Sequence, residues 1–294
     1  MVEHVSWGRR AFVVFNYTFL SLVSLACVLP LIHVLAISFS SSEAAAAGLV
    51  KLWPVGFTVK SYAYVAQQKA FLASFLVTLQ RVAVGVTLNM LMTILIAYPL
   101  SKESSVFRPR TAYAWAFVVT ILFNGGLIPT YMVVKYTGIM DTIWALVLPT
   151  AVPVFNVILM LNFFRNLPKE MEEAAFMDGA GQWRTLWNVY LPMSLPSLAT
   201  VTLFATVAHW NSWFDGLIFM NRPEHYPLQS YMQTVIIQQD LSALAASDLD
   251  ALSQVSTRTV KAAQIFLGAL PVLLVYPFLQ RFFISGIVLG SVKE

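Results

Sequence analysis

The chain has 294 residues, 58% of them hydrophobic and 11% charged, with a mean hydropathy of +0.71, against roughly 45–50% apolar and 25% charged in soluble domains. That balance excludes a soluble enzyme and a nucleic-acid-binding domain. It predicts an all-α polytopic membrane protein, in which a formal charge of +4 reflects arginine and lysine holding loops on one side of a bilayer. The single cysteine, Cys27, lies in an apolar run, which leaves no internal disulfide, thiolate cluster or redox motif and reads as a small buried hydrophobe.

Arg9-Arg10 followed by the run 11–40 has the look of a secretory signal, but its apolar core exceeds the roughly 7–15 residues of such signals and many spans follow. It is expected to be an uncleaved first transmembrane helix, kinked at Pro30, with His33 a packing histidine. The segment 41–69 is assigned to the extracytoplasmic side. The second span covers 71–100; its uncharged part, 82–100, suffices for ~30 Å of hydrocarbon, so Arg81 lies near the outer end. Arg81 is expected to snorkel or pack there, and lining the passage for an anionic solute is the alternative. Lys102, Arg108 and Arg110 place the next connection in the cytoplasm. The third span, 111–134, is interrupted by Asn124-Gly125-Gly126 and Pro129, and the fourth, 143–164, carries Pro149 and Pro153 and returns the chain to the cytoplasm at Arg165 and Lys169.

The loop 166–192 is the most polar stretch between two apolar runs and reads as two short helices hinged at glycine. Asn166 is the expected N-cap, Pro168 sits in a tolerated first-turn position, and Glu170, Glu172 and Glu173 favour the positive end of the helix dipole. Met171, Ala174 and Ala175 form one soft face, and Asp178-Gly179-Ala180-Gly181 ends the helix.

The fifth span, about 193–221, ends in His209-Trp210-Asn211-Ser212-Trp213-Phe214-Asp215-Gly216. Trp210 and Trp213 fit an interfacial aromatic belt. With Asn211 and Asp215 one helical turn apart, the stretch equally fits an inward wall of aromatic, amide and carboxylate groups suited to a sugar. The segment 221–259 is external, with a short surface helix over 227–239. The last span, 261–283, leaves a cytoplasmic tail, 284–294. About six spans put both termini inside, and residues 1–294 form a single permease domain.

Glu173-Ala174-Ala175, then Gly179, Val189 and Leu191-Pro192, resembles the EAA motif of membrane subunits of ATP-binding-cassette importers, with valine where isoleucine is common. The resemblance extends over essentially the whole chain: Ala97-Tyr98-Pro99-Leu100-Ser101-Lys102, Gly126-Leu127-Ile128-Pro129-Thr130-Tyr131, Trp210-Asn211-Ser212-Trp213-Phe214, Tyr226-Pro227-Leu228-Gln229 and Tyr276-Pro277-Phe278-Leu279-Gln280-Arg281 are similar to the carbohydrate-importing branch. The tail through Gly290, Ser291 and Lys293 resembles that of the smaller permease of the pair, with serine at 291 where alanine is commoner. Permeases for complex or acidic oligosaccharides, such as the alginate importer, are the most similar in character.

The resemblance implies a coupling helix held in a cleft of an ATPase subunit, with Glu173, Ala174, Ala175, Gly179, Leu191 and Pro192 as coupling residues and Gly290 and Lys293 in the ATPase-contacting tail. It implies a heterodimer with a second permease, a pair of ATPase subunits that bind ATP and magnesium, an extracytoplasmic solute-binding protein and a carbohydrate substrate. Arg81, Asn211 and Asp215 are the candidate translocation-path residues. The sequence holds no GxxxxGK[ST] loop, HExxH or cysteine–histidine cluster, so no catalytic residue, metal or cofactor is expected on this chain. Two other classes are an ion-coupled secondary transporter, which calls for midplane ionisable groups and internal repeats that are not evident, and a sensor, whose external segments are too short for a core.

Overall fold

The computed structural model describes residues 7–237 and 257–291. All regular structure among them is helical. By contact, the described residues fall into two compact units, one within Met1–Lys69 and Val235–Leu270, the other within Ala70–Thr234 and Pro271–Glu294.

The first unit is led by α1 (Trp7–Ser38), 32 residues long and containing Pro30. At 1.5 Å per residue it is ~48 Å long, more than a bilayer's hydrocarbon requires. Most of its apolar side chains are exposed, and Cys27 among them is exposed rather than buried. A cysteine in a lipid-length helix follows the helix face it occupies. His33 is held by a hydrogen bond, its Nδ1 donating to the Lys51 carbonyl at 2.5 Å. Ser41 caps α2 (Ser42–Ala46) by accepting from the Ala44 N–H, and α3 (Lys60–Gln67) follows. Ala36, Ile37, Ala44, Ala45, Val50 and Ala262 form this unit's core.

The second unit is organised on α4 (Lys69–Ser101), whose buried face reads Ser74, Thr78, Arg81, Gly85, Asn89, Thr93 and Ala97. Steps of three and four residues keep these on one stripe. The stripe is small and polar while the flanks are apolar, the reverse of a soluble helix and the arrangement that suits helices packed inside lipid. Next come α5 (Arg110–Leu122) and α6 (Leu127–Tyr136), which meet at 114°. The expected third span is therefore not one rod. With 13 residues, α5 reaches only ~20 Å, and the chain turns at Gly126, where φ is +87°. The fourth expected span is also a bent pair: α7 (Ile143–Val147), continued by a 3-10 turn to Thr150, meets α8 (Val154–Arg165) at 49° around Pro149 and Pro153.

The loop carries α9 (Lys169–Met177), α10 (Gln182–Thr185), one π-helical turn over Leu186–Tyr190 and α11 (Leu191–Met193), which meets α12 (Leu195–Asn211) at 83°. The fifth span ends at Asn211, because Ser212 is extended (φ −69°, ψ 126°) and α13 (Phe214–Phe219) begins a new helix. The helix α14 (Leu228–Ile237) matches the expected 227–239 element over its described part but is not a surface helix, since Leu228, Ser230 and Met232 are buried. A Thr78 hydroxyl accepting from the Leu228 N–H ties it to α4. Lastly, α15 (Thr257–Ser291) runs through Pro271 and Pro277 and on past Gly290, so the expected tail continues the last helix as far as Ser291. Lys293 lies outside the described residues. Among the described residues three helices are long and apolar enough to cross a membrane, and up to six spans result if each bent pair counts as one.

The junction of α13 and α14 leaves no room for a methyl group at Gly216, where a Cβ would sit 2.1 Å from Ser230 Oγ and 2.8 Å from Pro227 Cδ. Ser230 cannot yield, being fully buried with its Oγ donating to the Trp213 carbonyl at 2.6 Å. Gly216→Ala is expected to cost about 1–3 kcal/mol through overpacking, read as a lower thermal unfolding midpoint of the detergent-purified protein; an unchanged midpoint would contradict this packing.

Candidate functional site

The loop between α8 and α12 is built to present one face and bury the other. Pro168, not Asn166, holds the N-cap position of α9, and Asn166 instead ends α8, its N–H bonding back to Phe163. Glu170 and Glu172 stand in the first turn, where the helix dipole favours negative charge. The C-terminus closes as a Schellman motif: Ala180 N–H donates to Ala175 O at 2.9 Å and Gly179 N–H to Phe176 O at 3.0 Å. Gly179 has φ +76° with open space around it, so glycine is demanded by backbone conformation rather than crowding.

Thr185, Leu186 and Tyr190 turn inward. Leu186 and Tyr190 join a core made of Ala97, Tyr98 and Leu100 from α4 and Val157, Met160, Leu161 and Phe164 from α8. Tyr98, Phe164 and Tyr190 meet edge to face, with centroids 5.0–6.3 Å apart, within the favoured aromatic range. The π turn matters here, since one extra residue per turn rotates Tyr190 relative to the α-helical register that follows.

At the centre is Lys102, immediately after α4 and 6% exposed. Its Nζ donates to Glu172 Oε1 at 2.6 Å and to the Tyr190 hydroxyl at 3.0 Å, and that hydroxyl donates to Glu172 Oε2 at 2.5 Å. The ammonium also lies 4.2 Å from the Tyr98 ring centroid and 4.1 Å from that of Tyr190, close enough for cation–π attraction. Burial lowers the Lys102 pKa from its usual value, more than Glu172 raises it. Around this node, Tyr98 donates to Gln182 Oε1 at 2.8 Å, Arg165 to the Leu100 carbonyl at 3.1 Å, Arg110 to the Lys102 carbonyl at 3.0 Å, and Lys169 pairs with Glu103 at 2.5 Å. The loop is thereby fixed to the end of α4.

What remains outward is Glu173 and Ala174, with Met171, Phe176, Met177 and Trp183 also exposed. Ala175 is half-buried. The motif residues are thus divided: Glu173 and Ala174 face out, Gly179 sets the hinge, and Leu191 and Pro192 lead into the bend at Ser194. The sequence assigned Lys102 only to the cytoplasmic side and Glu172 only to the helix dipole, and it gave Tyr190 no role. Lys102 stood out only as a positive charge after an apolar run, and nothing local distinguishes Glu172 from its neighbour.

Arg81 is 1% exposed and does not snorkel. Nη1 and Nη2 both bond to the Asp215 carboxylate, and Nη1 and Nη2 also reach the Ser212 and Leu146 carbonyls. Asp215 further accepts from Ser212 Oγ and the Gly216 N–H. Asn211 is exposed and on a different helix from Asp215, so the two do not share a helical face as expected. Trp210 is buried, edge-on to Phe75 at 5.9 Å, rather than part of a belt, whereas Trp213 is exposed.

A third cluster centres on Asp141, which adopts a left-handed φ of +59°. Its carboxylate accepts from the Asn221 and Arg222 N–H groups, Arg222 Nε and His225 Nδ1. Burial alone would raise its pKa, but Arg222, the Asn221 N–H and His225 hold it well below the usual carboxylate range. Among the described residues no three His, Cys, Asp or Glu side chains gather as a metal site.

A helical membrane subunit with a clamped, outward-facing loop between two spans is the architecture of an importer permease. The chain belongs to the family of binding-protein-dependent transport system inner membrane components, which matches residues 2–288. It is 37% identical over 285 residues to the polygalacturonan/rhamnogalacturonan transport system permease protein YtcP of Bacillus subtilis (strain 168), covering 97% of this chain and 99% of that one. A crystal structure of a bacterial ABC transporter involved in the import of the acidic polysaccharide alginate superposes with a TM-score of 0.88 at 32% identity, over 95% of this chain and 98% of the other. The fold is shared, at 15% identity and a TM-score of 0.56 over 94% and 96% of the two chains, with a chain of the alginate transporter crystallised with a pentasaccharide-bound periplasmic protein. The chain is a permease subunit of an ABC importer, a class of subunit that is not itself an enzyme, and membership of the family sets aside the ion-coupled and sensor readings.

Removing the carboxylate of Glu172 strands a buried ammonium. Glu172→Gln is expected to destabilise by about 2–3 kcal/mol, below the full penalty for a broken buried pair because Glu172 is 20% exposed. Glu173→Gln, on the open face, should change stability by less than about 0.5 kcal/mol. Thermal unfolding of both variants checks the difference, and equal effects would refute the clamp.

The depressed pKa of Asp141 gives stability that is complete above the ordinary aspartate value of about 3.9 and lost as pH falls through the lower folded value. The wild-type midpoint should therefore drop below about pH 4 more steeply than that of Asp141→Asn; identical acid profiles would remove the clamp from the balance.

Proposed function

We propose that this chain imports an oligosaccharide across a bacterial cytoplasmic membrane as one half of a permease heterodimer, driven by a pair of ATPase subunits that carry the ATP and magnesium and supplied by an extracytoplasmic binding protein. Residues 1–294 act as one permease domain with both termini in the cytoplasm, and Lys102, Arg108, Arg110, Arg165 and Lys169 support that orientation by lying around one set of connections. The saccharide named in the relatives' descriptions supports the substrate class.

The observation that carries the coupling role is the division of α9. Glu172 is spent inside the protein on Lys102 and Tyr190, while Glu173 stands free on a face with Ala174, Met171 and Phe176. Small and methionine side chains let another surface approach closely and adapt to it, and Glu173 supplies a charge for a basic group of the ATPase. Loop 166–192 transmits ATPase closure, with Gly179, Leu191 and Pro192 shaping its hinge and Gly290 and Lys293 in a tail that reaches the same partner. Arg81, Asp215 and Asn211 belong to the translocation path, Arg81 and Asp215 as a paired charge within the wall.

Glu173→Lys is expected to insert and assemble normally but to lose sugar-stimulated ATP hydrolysis by about tenfold or more, the scale of replacing attraction by like-charge repulsion. Unchanged coupling would remove Glu173 from the contact. Gentle extraction of the tagged chain followed by mass spectrometry should recover a second permease and an ATPase; recovery of this chain alone, with transport that collapses with the ion gradient, would overturn the assembly.

A further inference from the structure

The connection between α2 and α3 doubles back along α1. Just past the end of α1, the Ser41 N–H donates to the Val55 carbonyl at 3.0 Å, the Val55 N–H to Ser40 Oγ at 3.0 Å and the Thr58 N–H to the Phe39 carbonyl at 2.9 Å. Phe39 stacks on Phe57 with ring centroids 5.4 Å apart, and Val50 enters the unit's core beside Ala36 and Ile37. Farther back, His33 Nδ1 donates to the Lys51 carbonyl. The connection has there returned to the level of a residue five positions before Ser38, where α1 ends. At 1.5 Å per residue that is a retreat of ~8 Å along the helix.

Charge along α1 sets that level against a bilayer. After Arg9 and Arg10 the chain carries no Asp, Glu, Lys or Arg before Glu43. Counted from Ala11, ~30 Å of hydrocarbon takes about 20 residues of helix, and a tilt of ~20° adds about one more. The far edge of the hydrocarbon then falls near Leu31, and His33 with the Lys51 carbonyl lies just beyond it, at headgroup depth. Irregular backbone is excluded from hydrocarbon but not from that layer. At the same level Leu29, Leu31 and Ile32 of α1 are exposed, and the connection adds exposed Leu49, Leu52 and Trp53, the last at 81%. Lys51 is exposed among them. The connection thus ties its backbone to the protein and turns its largest apolar side chains outward.

A tryptophan and a lysine between leucines, held at the edge of the hydrocarbon, match the headgroup region of a phospholipid layer. An indole is apolar with one polar tip, and a lysine stem lies along apolar surface while its ammonium reaches phosphate. The patch is continuous with the exposed face of α1, so a soluble protein seated on it would have to displace lipid from that face. We propose that residues 49–53 form an interfacial anchor, with Leu49, Leu52 and Trp53 dipped into the outer leaflet and Lys51 at its phosphates. The choice of the outer leaflet rests on the orientation given above, with both termini in the cytoplasm; the lipid contact does not. Only 11% of the most apolar stretch of α1 is buried among the described residues, and the anchor supplies the depth and rotation that such sparse packing leaves open.

The test uses the assembled importer, freed of its other cysteines, in vesicles of phosphatidylethanolamine and phosphatidylglycerol. Bimane is attached at Leu52→Cys, beside an intact Trp53, and at Glu43→Cys on α2, each recovered as complex in the wild-type amount. A phospholipid with a nitroxide near its headgroup is expected to quench the label at 52 about twofold or more above that at 43, and aqueous iodide to do the reverse. Adding Trp53→Glu should cut the lipid quenching at 52 by about half or more, whereas saturating binding protein with ATP should leave it unchanged. Equal iodide quenching at both positions would overturn the anchor. So would shielding of 52 from both quenchers, which would assign the patch to the second permease, or loss of lipid quenching on addition of binding protein, which would assign it to that protein. Orientation is read separately, since a membrane-impermeant maleimide should label Glu43→Cys from outside in spheroplasts. No labelling there would overturn the orientation, and with it the outer leaflet, while quenching at 52 still decides the lipid contact.

Discussion

The structure depends on one buried ammonium. Lys102 follows the last turn of a 33-residue helix and is removed from water, a position that is tolerable only if a counter-charge and hydrogen-bond acceptors are held in place around it. Glu172 and Tyr190 meet that demand from two different parts of the loop, and the Tyr98 and Tyr190 rings close the remaining sides. Such a pair adds little net stability compared with an apolar substitute, but it is specific: slipping α9 by one residue would present Glu173 or Met171 instead and leave the charge unpaired. The node therefore sets which face of α9 points outward.

That specificity explains why the loop was legible in part. Acidic residues after a proline, a soft face and Asp178-Gly179 are local signals, and the helix, its stop at Gly179 and the second short helix follow from them. The assignment of Asn166 as N-cap failed because a C-terminal position of the preceding helix claimed it first. Choosing between Glu172 and Glu173 needed the location of Lys102, 70 residues away along the chain. The π turn that brings Tyr190 to the node has no local signature.

The spans show the same division. Apolar length identified the long helices 7–38, 69–101 and 257–291, because hydrocarbon thickness is a constraint on each segment by itself. Bends are not: Asn124-Gly125-Gly126 announced an interruption, but nothing in those residues gives the size of the turn, 114°. The pairing of Asn211 with Asp215 assumed an unbroken helix, and the extended backbone at Ser212 separates them. Arg81 looked like an end-of-span charge because the uncharged run 82–100 suffices to span; its partner lies 134 residues on, beyond any periodicity argument.

The signal that was present and unused is the stripe on α4. Ser74, Thr78, Arg81, Gly85, Asn89, Thr93 and Ala97 recur at steps of three and four within an apolar run, and in lipid such a stripe must face protein or a wet cavity. It carries both features that matter. Lys102 at the end of this helix holds the loop, and Asn89, 13 residues earlier and thus ~20 Å along the axis, lines a polar cavity with Arg81 and His209. Between them the helix is unbroken, with Pro99 inside its last turn. Among the described residues, α4 runs continuously from the clamp at Lys102 to Asn89 in the cavity wall. For coupling to be more than proximity, the loop needs a second discrete arrangement. The chain leaving the loop breaks at Ser194, between helices meeting at 83°, and Leu191 and Leu198 on either side of the break pack on the core that holds the end of α4.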